Sequence, residues 1–365
     1  MTIEEYKSMI IDTLKRFPSR SIKGLKDEFI KNGIAINKKQ LLDDGTVNPF
    51  YGLSDTEILC YLMGDSENIS IFEKWEYRNE YNYSLVYEID DFDGLFTQLS
   101  QSPDFDYSQY NELDLSDDYK RTYKYTSGNN IYLKFSSFFS GVSETEHEVS
   151  YIKYPVIIIM HGIEKMVEIR FGSIDRNYFE NKNFSTDQMI LNIIMSVKHY
   201  FYNSYKTGLK IVDLKSVGKA INNRVDGAIP YGHRRITPSN GISQVKADDE
   251  KNKLPLIDDL KAFVDENYEE LANTPTVLPK LEAIINNYEK GSMLDYITGK
   301  WNGYSKKDVS VIQKNKTIMA KFMYNYSNQG FCLIRHLFAG NIYLGEERMD
   351  YVFSYIIKNR NYTEK

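Results

Sequence analysis

The run from Asn130 to Gly208 leaves the chain the fewest structural options. Within it Asn130–Phe139, Tyr154–Met160 and Lys165–Phe171 are dense in Ile, Val, Tyr and Phe, side chains that suit a pleated, half-buried surface. His161-Gly162-Ile163-Glu164 joins the last two runs, a glycine-containing connection short enough for an antiparallel hairpin. Ser185-Thr186-Asp187-Gln188 then has the form of a capping box. It opens a helix on which Ile190, Ile193, Ile194, Val197 and Phe201 recur at helical spacing until Gly208. The spacing predicts a β-meander with a helix laid on it.

Helices are expected on both sides of this centre. Thr2-Ile3-Glu4-Glu5 is a capping box, followed by an apolar face of Tyr6, Met9, Ile10, Leu14 and Phe17. Ser21 starts a second helix with Ile22, Leu25, Phe29 and Ile30, ended by Gly33; Lys38–Asp43 is a short third segment, and Ser54-Asp55-Thr56-Glu57 caps a helix through Met63. Lys210–Leu214 reads as an edge strand, and Ser216-Val217-Gly218-Lys219 as a helix start whose N–H groups could hold an anion. Beyond it, Ile257–Leu271 and Pro279–Tyr288 form an amphipathic pair. Ser305 caps a long helix with Val309, Ile312, Ile318 and Phe322, and Gly330–Ile357 supplies the final helices.

The fold class expected is α+β: an N-terminal helical bundle, a central antiparallel β-meander with a packed helix, and a helical C-terminal region. The expected divisions are a helical domain over 1–78, an acidic segment plus α+β domain over 79–221, a linker or long loop over 222–256, and a helical domain over 257–365.

Ser21–Leu42 resembles the SAP motif, a helix–turn–helix hairpin of some DNA-binding proteins. The Leu25/Phe29 spacing, Gly33 at the turn, the lysines that follow and the final Leu pair carry the resemblance. It covers about twenty residues and implies nucleic-acid contact through Lys38 and Lys39. The second helix of the motif is usually longer, whereas Asp43-Asp44-Gly45 cuts this one short, and a plain helical hairpin is the competing reading.

Charge is distributed unevenly. Residues 1–40 hold nine Lys or Arg against five Asp or Glu, while Leu41–Asp118 hold nineteen acids against Lys74 and Arg78 alone. That segment carries a net −17 in a chain of net −6, which leaves +11 elsewhere. The acids interleave with Tyr81, Tyr83, Tyr87, Phe92, Phe105, Tyr107 and Tyr110, the kind of anchor that protein interfaces use. Either a protein-docking face or a merely solvated acidic surface would account for this pattern.

No familiar catalytic chemistry is legible. The five histidines pair with no His or Cys at metal-ligand spacing, and no P-loop, G-x-S-x-G or G-x-G-x-x-G occurs. Asp91-Phe92-Asp93-Gly94 only superficially suggests a calcium loop, because Ile89 and Ser100 stand where its first and twelfth ligands belong. Glu168-Ile169-Arg170 could be a degenerate strand-borne nuclease motif. Alternation puts Glu168 and Arg170 on one sheet face, where a surface ion pair is the simpler expectation. Cys60 and Cys332 sit in apolar runs and read as buried free thiols. With neither a signal peptide nor a membrane-length apolar run evident, the cytoplasm is the expected compartment.

The expected function is a non-catalytic, DNA- or RNA-binding and protein-interaction component. The alternatives are a metal-dependent nuclease around Glu168 and a pure interaction scaffold. The abundant Asn, Lys, Ile and Tyr suit an AT-rich genome, and with it a prophage, plasmid or phage-defence (antiviral) setting. Candidate nucleic-acid contacts are Lys38, Lys39, Arg234, Arg235, Lys306, Lys307 and Lys314; candidate protein-partner contacts are Asp90, Asp91, Asp93, Asp117 and Asp118. Neither cofactor nor metal nor membrane is expected.

Overall fold

The structure is a computed structural model. It describes residues 2–34, 36, 38–42, 44–104, 123–142, 149–174, 178, 185–236, 242–246, 255–274, 276–291, 293–302, 317–338 and 342–363. The chain is α+β and divides into two compact units, Met1–Val212 with Gly340–Phe353, and Asp213–Ala339 with Ser354–Lys365.

In the first unit α1 (Ile3–Arg16), α2 (Ser19–Lys31), α3 (Asp55–Leu62) and α4 (Ser66–Glu76) form the helical bundle. The capping boxes at Thr2 and Ser54 both close, each side chain accepting from the N3 amide while the N3 glutamate accepts in return. The sheet follows from β1 (Tyr83–Ile89), α5 (Phe92–Gln101), β2 (Tyr123–Ser127), β3 (Asn130–Val142), β4 (Val149–His161), β5 (Met166–Phe171), α6 (Thr186–Tyr205) and β6 (Leu209–Ile211). Its antiparallel order is β2-β3-β4-β5-β1-β6.

Strand alternation splits this sheet into two buried faces. Leu133, Phe135, Val156, Ile158, Val167 and Ile169 lie on the face where α6 packs, Tyr200 meeting Phe135 edge-on at 4.6 Å. Tyr132, Ile157 and Ile159 lie on the other and share one core with Ile10, Leu25, Leu59 and Phe72 of the bundle. Each such fully buried side chain contributes about 1.5–3 kcal/mol, so this layered core dominates the unit's stability. Ser185 caps α6 as its spacing predicts.

The expected helical segment Lys38–Asp43 shows no helix at its described residues, Lys38–Leu42. Leu41 instead bridges to Val47 across a turn in which Gly45 takes φ +83° and Asp44 accepts from the Thr46 amide and hydroxyl. Among the described residues the second helix of the SAP resemblance is therefore not formed.

The second unit contains α7 (Lys215–Asn222), β7 (Ile229–Ile236), β8 (Ile242–Lys246), α8 (Pro255–Glu266), α9 (Tyr268–Ala272), α10 (Leu278–Gly291), β9 (Met293–Trp301), β10 (Ile318–Met323) and β11 (Leu333–Leu337). The strands run antiparallel in the order β11-β10-β9-β7-β8. A last helix, α11 (Glu346–Asn359), gives its residues up to Phe353 to the first unit and the rest to the second.

Within the stretch 222–256, Ile229–Ile236 and Ile242–Lys246 are strands, and Ile229–Ile236 has β9 as well as β8 to pair with. The helix expected through Ile318 and Phe322 is a strand at those residues; its start at Ser305 lies outside the described residues. Ile318, Ala320 and Phe322 alternate with Met319, Lys321 and Met323, a period of two that the i, i+4 reading of Ile318 and Phe322 overlooked. The C-terminal region therefore combines its expected helices with three strands. Among the described residues no helix is long and apolar enough to cross a membrane.

Candidate functional site

Two arrangements carry chemistry, one in each unit. In the second unit, one face of the sheet is closed by Ile297, Trp301, Ala320, Phe322 and Ile334. The opposite face is only half-buried and collects cations. Register places Lys321 beside Arg335 of β11 and Thr298 of β9, so their side chains share that face. Tyr296 is two residues along β9 from Thr298, and Arg234 of β7 pairs with it.

Lys321 Nζ lies 3.4 Å from the centroid of the Tyr296 ring, and the Arg234 guanidinium lies 5.7 Å from the same ring. Lys300 Nζ sits 6.0 Å from the Tyr231 ring. A β-bulge at Arg234/Arg235 lets Asp295 reach Arg234 Nε at 2.6 Å. Burial lowers the pKa of Lys321, and repulsion from Arg234 and Arg335 lowers it further, against the pull of Asp295. Arg335 is exposed and has no ion-pair partner among the described residues. This face therefore holds more positive charge than it neutralises.

The first unit buries its charges. Lys134 of β3 and Lys153 of β4 lie under α4, where both ammonium groups contact the carboxylates of Glu73 and Glu76. All four side chains are at most 1% exposed. The Tyr6 hydroxyl donates to Glu73 as well. Burial opposes ionisation of Glu73, but Lys134 and Lys153 overcome it and hold this carboxyl below its usual range. Burial prevails at Glu76, whose pKa is raised, and at Lys153, whose pKa is lowered. Glu73 and Lys134 form the firmly charged pair, while Glu76 and Lys153 are pushed toward neutrality.

A cavity of about 430 Å³ opens over this cluster, lined by Lys153 and Glu76 together with Arg16, Arg20, Tyr154 and Tyr178. Glu76 Oε1 has no hydrogen-bond partner among the described residues.

Farther along the same sheet face, Glu168 accepts from Arg170 Nη2 at 2.7 Å and lies 3.1 Å from His161 Nε2. Arg170 Nη2 also reaches Asp350 at 2.7 Å, and the His161 ring stacks on Phe353 at 3.8 Å. Burial works to raise the Glu168 pKa, but the Arg170 charge and the hydrogen bonds from His161 and Arg170 bring it to about 2. Alternation does place Glu168 and Arg170 together, but as a buried pair and not a surface one, because the start of α11 covers them. Among the described residues no group of three or more His, Cys, Asp or Glu could hold a metal ion.

The sequence candidates are distributed as follows. Lys38 pairs with Asp55 at 2.7 Å, the same carboxylate that Lys26 reaches at 2.8 Å, and Lys39 is exposed on the loop after α2. Arg234 lies on the cationic sheet face and Arg235 follows it on β7. Asp90 pairs with Lys210, Asp93 with Lys165 at 2.7 Å, and Asp91 caps α5 through the Gly94 amide at 3.0 Å. Lys306, Lys307, Lys314, Asp117 and Asp118 lie outside the described residues. Tyr81, Tyr83, Tyr87 and Phe92, read as interface anchors, are buried core side chains. At Gly218 the amide donates to the Leu214 carbonyl at 3.3 Å, and a Cβ there would lie 2.3 Å from the Tyr324 hydroxyl.

Sequence reasoning missed Tyr296 and Arg335, and it placed Lys321 on a helix although the period-two pattern of Ile318–Met323 was a signal for a strand. No family model, curated protein or solved structure matches the chain.

Proposed function

We propose that the chain is a non-catalytic nucleic-acid-binding protein that holds the phosphate backbone on the half-exposed face of β11, β10, β9 and β7. The observation that carries this reading is the crowding of Lys321, Arg234 and Arg335 around one acid, Asp295. A cluster of cations with so little counter-charge gains most from a polyanion, which releases its own condensed counterions on binding. Tyr296 draws Lys321 and Arg234 over its ring, which fixes the two cations in place but leaves that ring surface occupied. Contact is then made to phosphates more than to bases, and phosphate contacts carry no sequence information.

The competing readings have less to stand on. Glu168 is engaged by Arg170 and His161 and is 1% exposed, so a nuclease centred on it lacks a reachable carboxylate. Asp90, Asp91 and Asp93 each bond within the first unit, which weakens them as docking groups for an outside protein. Fluorescence anisotropy with labelled single-stranded DNA and RNA of unrelated sequences tests the proposal. Binding at low salt that Lys321→Gln and Arg335→Gln each weaken is the expected result. Absence of binding, or binding indifferent to both substitutions, overturns it.

A further inference from the structure

We infer that the cationic sheet face selects a single strand over a duplex, because it offers Tyr231 and Met319 to unpaired bases beside the cations that take the phosphates. The inference rests on the phosphate-binding role proposed for this face and adds which kind of nucleic acid it holds. Register sets the side chains out in rows that cross the strands. One row runs from Arg335 on β11 through Lys321 on β10 and Thr298 on β9 to Gly232 on β7. The next runs from Leu337 through Met319 to Lys300. Neighbours within a row stand about 4.8 Å apart, and the two rows lie about 6.7 Å from each other along the strands. A band of cations therefore borders a band in which Met319 and Leu337 are half-buried, open to contact from above.

Tyr231 extends the second band. A register shift between Pro230 and Gly232 leaves it without a partner on β9, and its ring meets Lys300 Nζ at 6.0 Å, which puts it on the open face. The residue is half-buried, and among the described residues Lys300 is the only cation or ring that approaches it. One cation occupies one face of a ring and leaves the other for a base. Tyr296 differs, since Lys321 at 3.4 Å and Arg234 at 5.7 Å both approach it. Stacking on an aromatic side chain tolerates any sequence, because every base has a π-face. A duplex keeps its bases paired and stacked inside and presents its backbones, so it engages the cations alone. A single strand lays its backbone along Arg335 and Lys321 and turns free bases onto Met319 and Tyr231.

Fluorescence anisotropy of the full chain with three labelled DNA probes of equal length is the test: a mixed-sequence single strand, its duplex, and an abasic single strand. At one low salt concentration the intact single strand should bind about tenfold or more tighter than the other two, the contribution of at least one stacked base. Tyr231→Ser should bring the intact strand down to the level of the abasic one and leave the abasic strand unchanged, which also shows that the variant is folded. Tyr231→Phe, which keeps the ring, should retain the preference, and Met319→Gln should reduce it. Duplex or abasic strand binding as tightly as the intact strand, or an intact-strand affinity indifferent to Tyr231→Ser, overturns the inference. If Lys321→Gln still weakens all three probes in that case, the phosphate-binding reading stands without it. No binding of any probe overturns both.

Discussion

Replacing Lys153 by Met removes one of two cations from a cluster whose four charged side chains are at most 1% exposed. Lys153 is 1% exposed and contacts both Glu73 and Glu76, so the substitution leaves two buried carboxylates sharing Lys134. Breaking a buried ion pair from one side costs about 3–5 kcal/mol, because the orphaned charge stays desolvated. Glu76 offers a partial escape, since burial already raises its pKa and without Lys153 it should take up a proton. A carboxyl whose folded pKa exceeds its unfolded one adds stability that is fully present below the unfolded value and is lost as pH rises through the folded one. The cost of Lys153→Met should therefore shrink as pH falls from neutrality toward the ordinary glutamate range. Adding Glu76→Gln removes the orphaned charge and should recover about 1–3 kcal/mol, a coupling that a double-mutant cycle measures. The assay has a built-in reporter. The chain's two tryptophans, Trp75 and Trp301, lie one in each unit, so a Trp301→Phe background lets Trp75 fluorescence follow urea unfolding of the first unit alone. A cost under about 1 kcal/mol, a pH-independent cost, or strictly additive single and double variants would refute the reasoning.

Glu168 should make the first unit acid-sensitive. Its pKa falls from 4.5 to about 2, worth on the order of 3 kcal/mol, present above the unfolded value and lost as pH drops from about 4.5 to 2. Glu168→Gln should flatten that part of the stability–pH curve measured by Trp75 fluorescence, and an unchanged slope would contradict it. Gly24→Ala should destabilise the first unit by about 1–3 kcal/mol, despite a gain of about 1 kcal/mol in helix propensity. A Cβ at Gly24 would lie 2.3 Å from the Tyr343 ring, which is stacked on Trp75 at 6.4 Å. A higher unfolding midpoint in urea would show that the ring moves aside freely.

Local features were legible in the sequence where a few neighbouring residues decide them. Three S/T-x-x-E/Q capping boxes all close in the structure, at Thr2, Ser54 and Ser185. The runs of β3, β4 and β5, rich in Ile, Val, Tyr and Phe, likewise need no distant partner to be read as strands. The buried charges were invisible because their partners are remote, Lys134 and Glu73 being 61 residues apart and Lys153 and Glu73 80. A lone Lys between Leu133 and Phe135 gives a sequence no way to choose between a solvated and a paired ammonium. The strands of the second unit were hidden for another reason. Ile318 and Phe322, four apart, satisfy a helix face and a strand face equally, and only pairing with β9 and β11 decides between them. Residues 222–256 read as a linker or long loop, whereas β-pairing with β8 and β9 makes Arg234 part of a sheet.

The most direct test of nucleic-acid binding is the salt dependence of affinity for a single-stranded oligonucleotide, compared between the natural chain and a Lys300→Gln/Lys321→Gln/Arg335→Gln variant. Each phosphate contact contributes about 0.7 to the slope of log K against log salt for single strands. If the cationic face of the second unit holds the backbone, the triple variant should lose about 2 from that slope, together with most of its affinity at about 50 mM salt. Two parallel lines, with affinity and slope the same in both proteins, would place any nucleic-acid contact elsewhere and contradict the proposal.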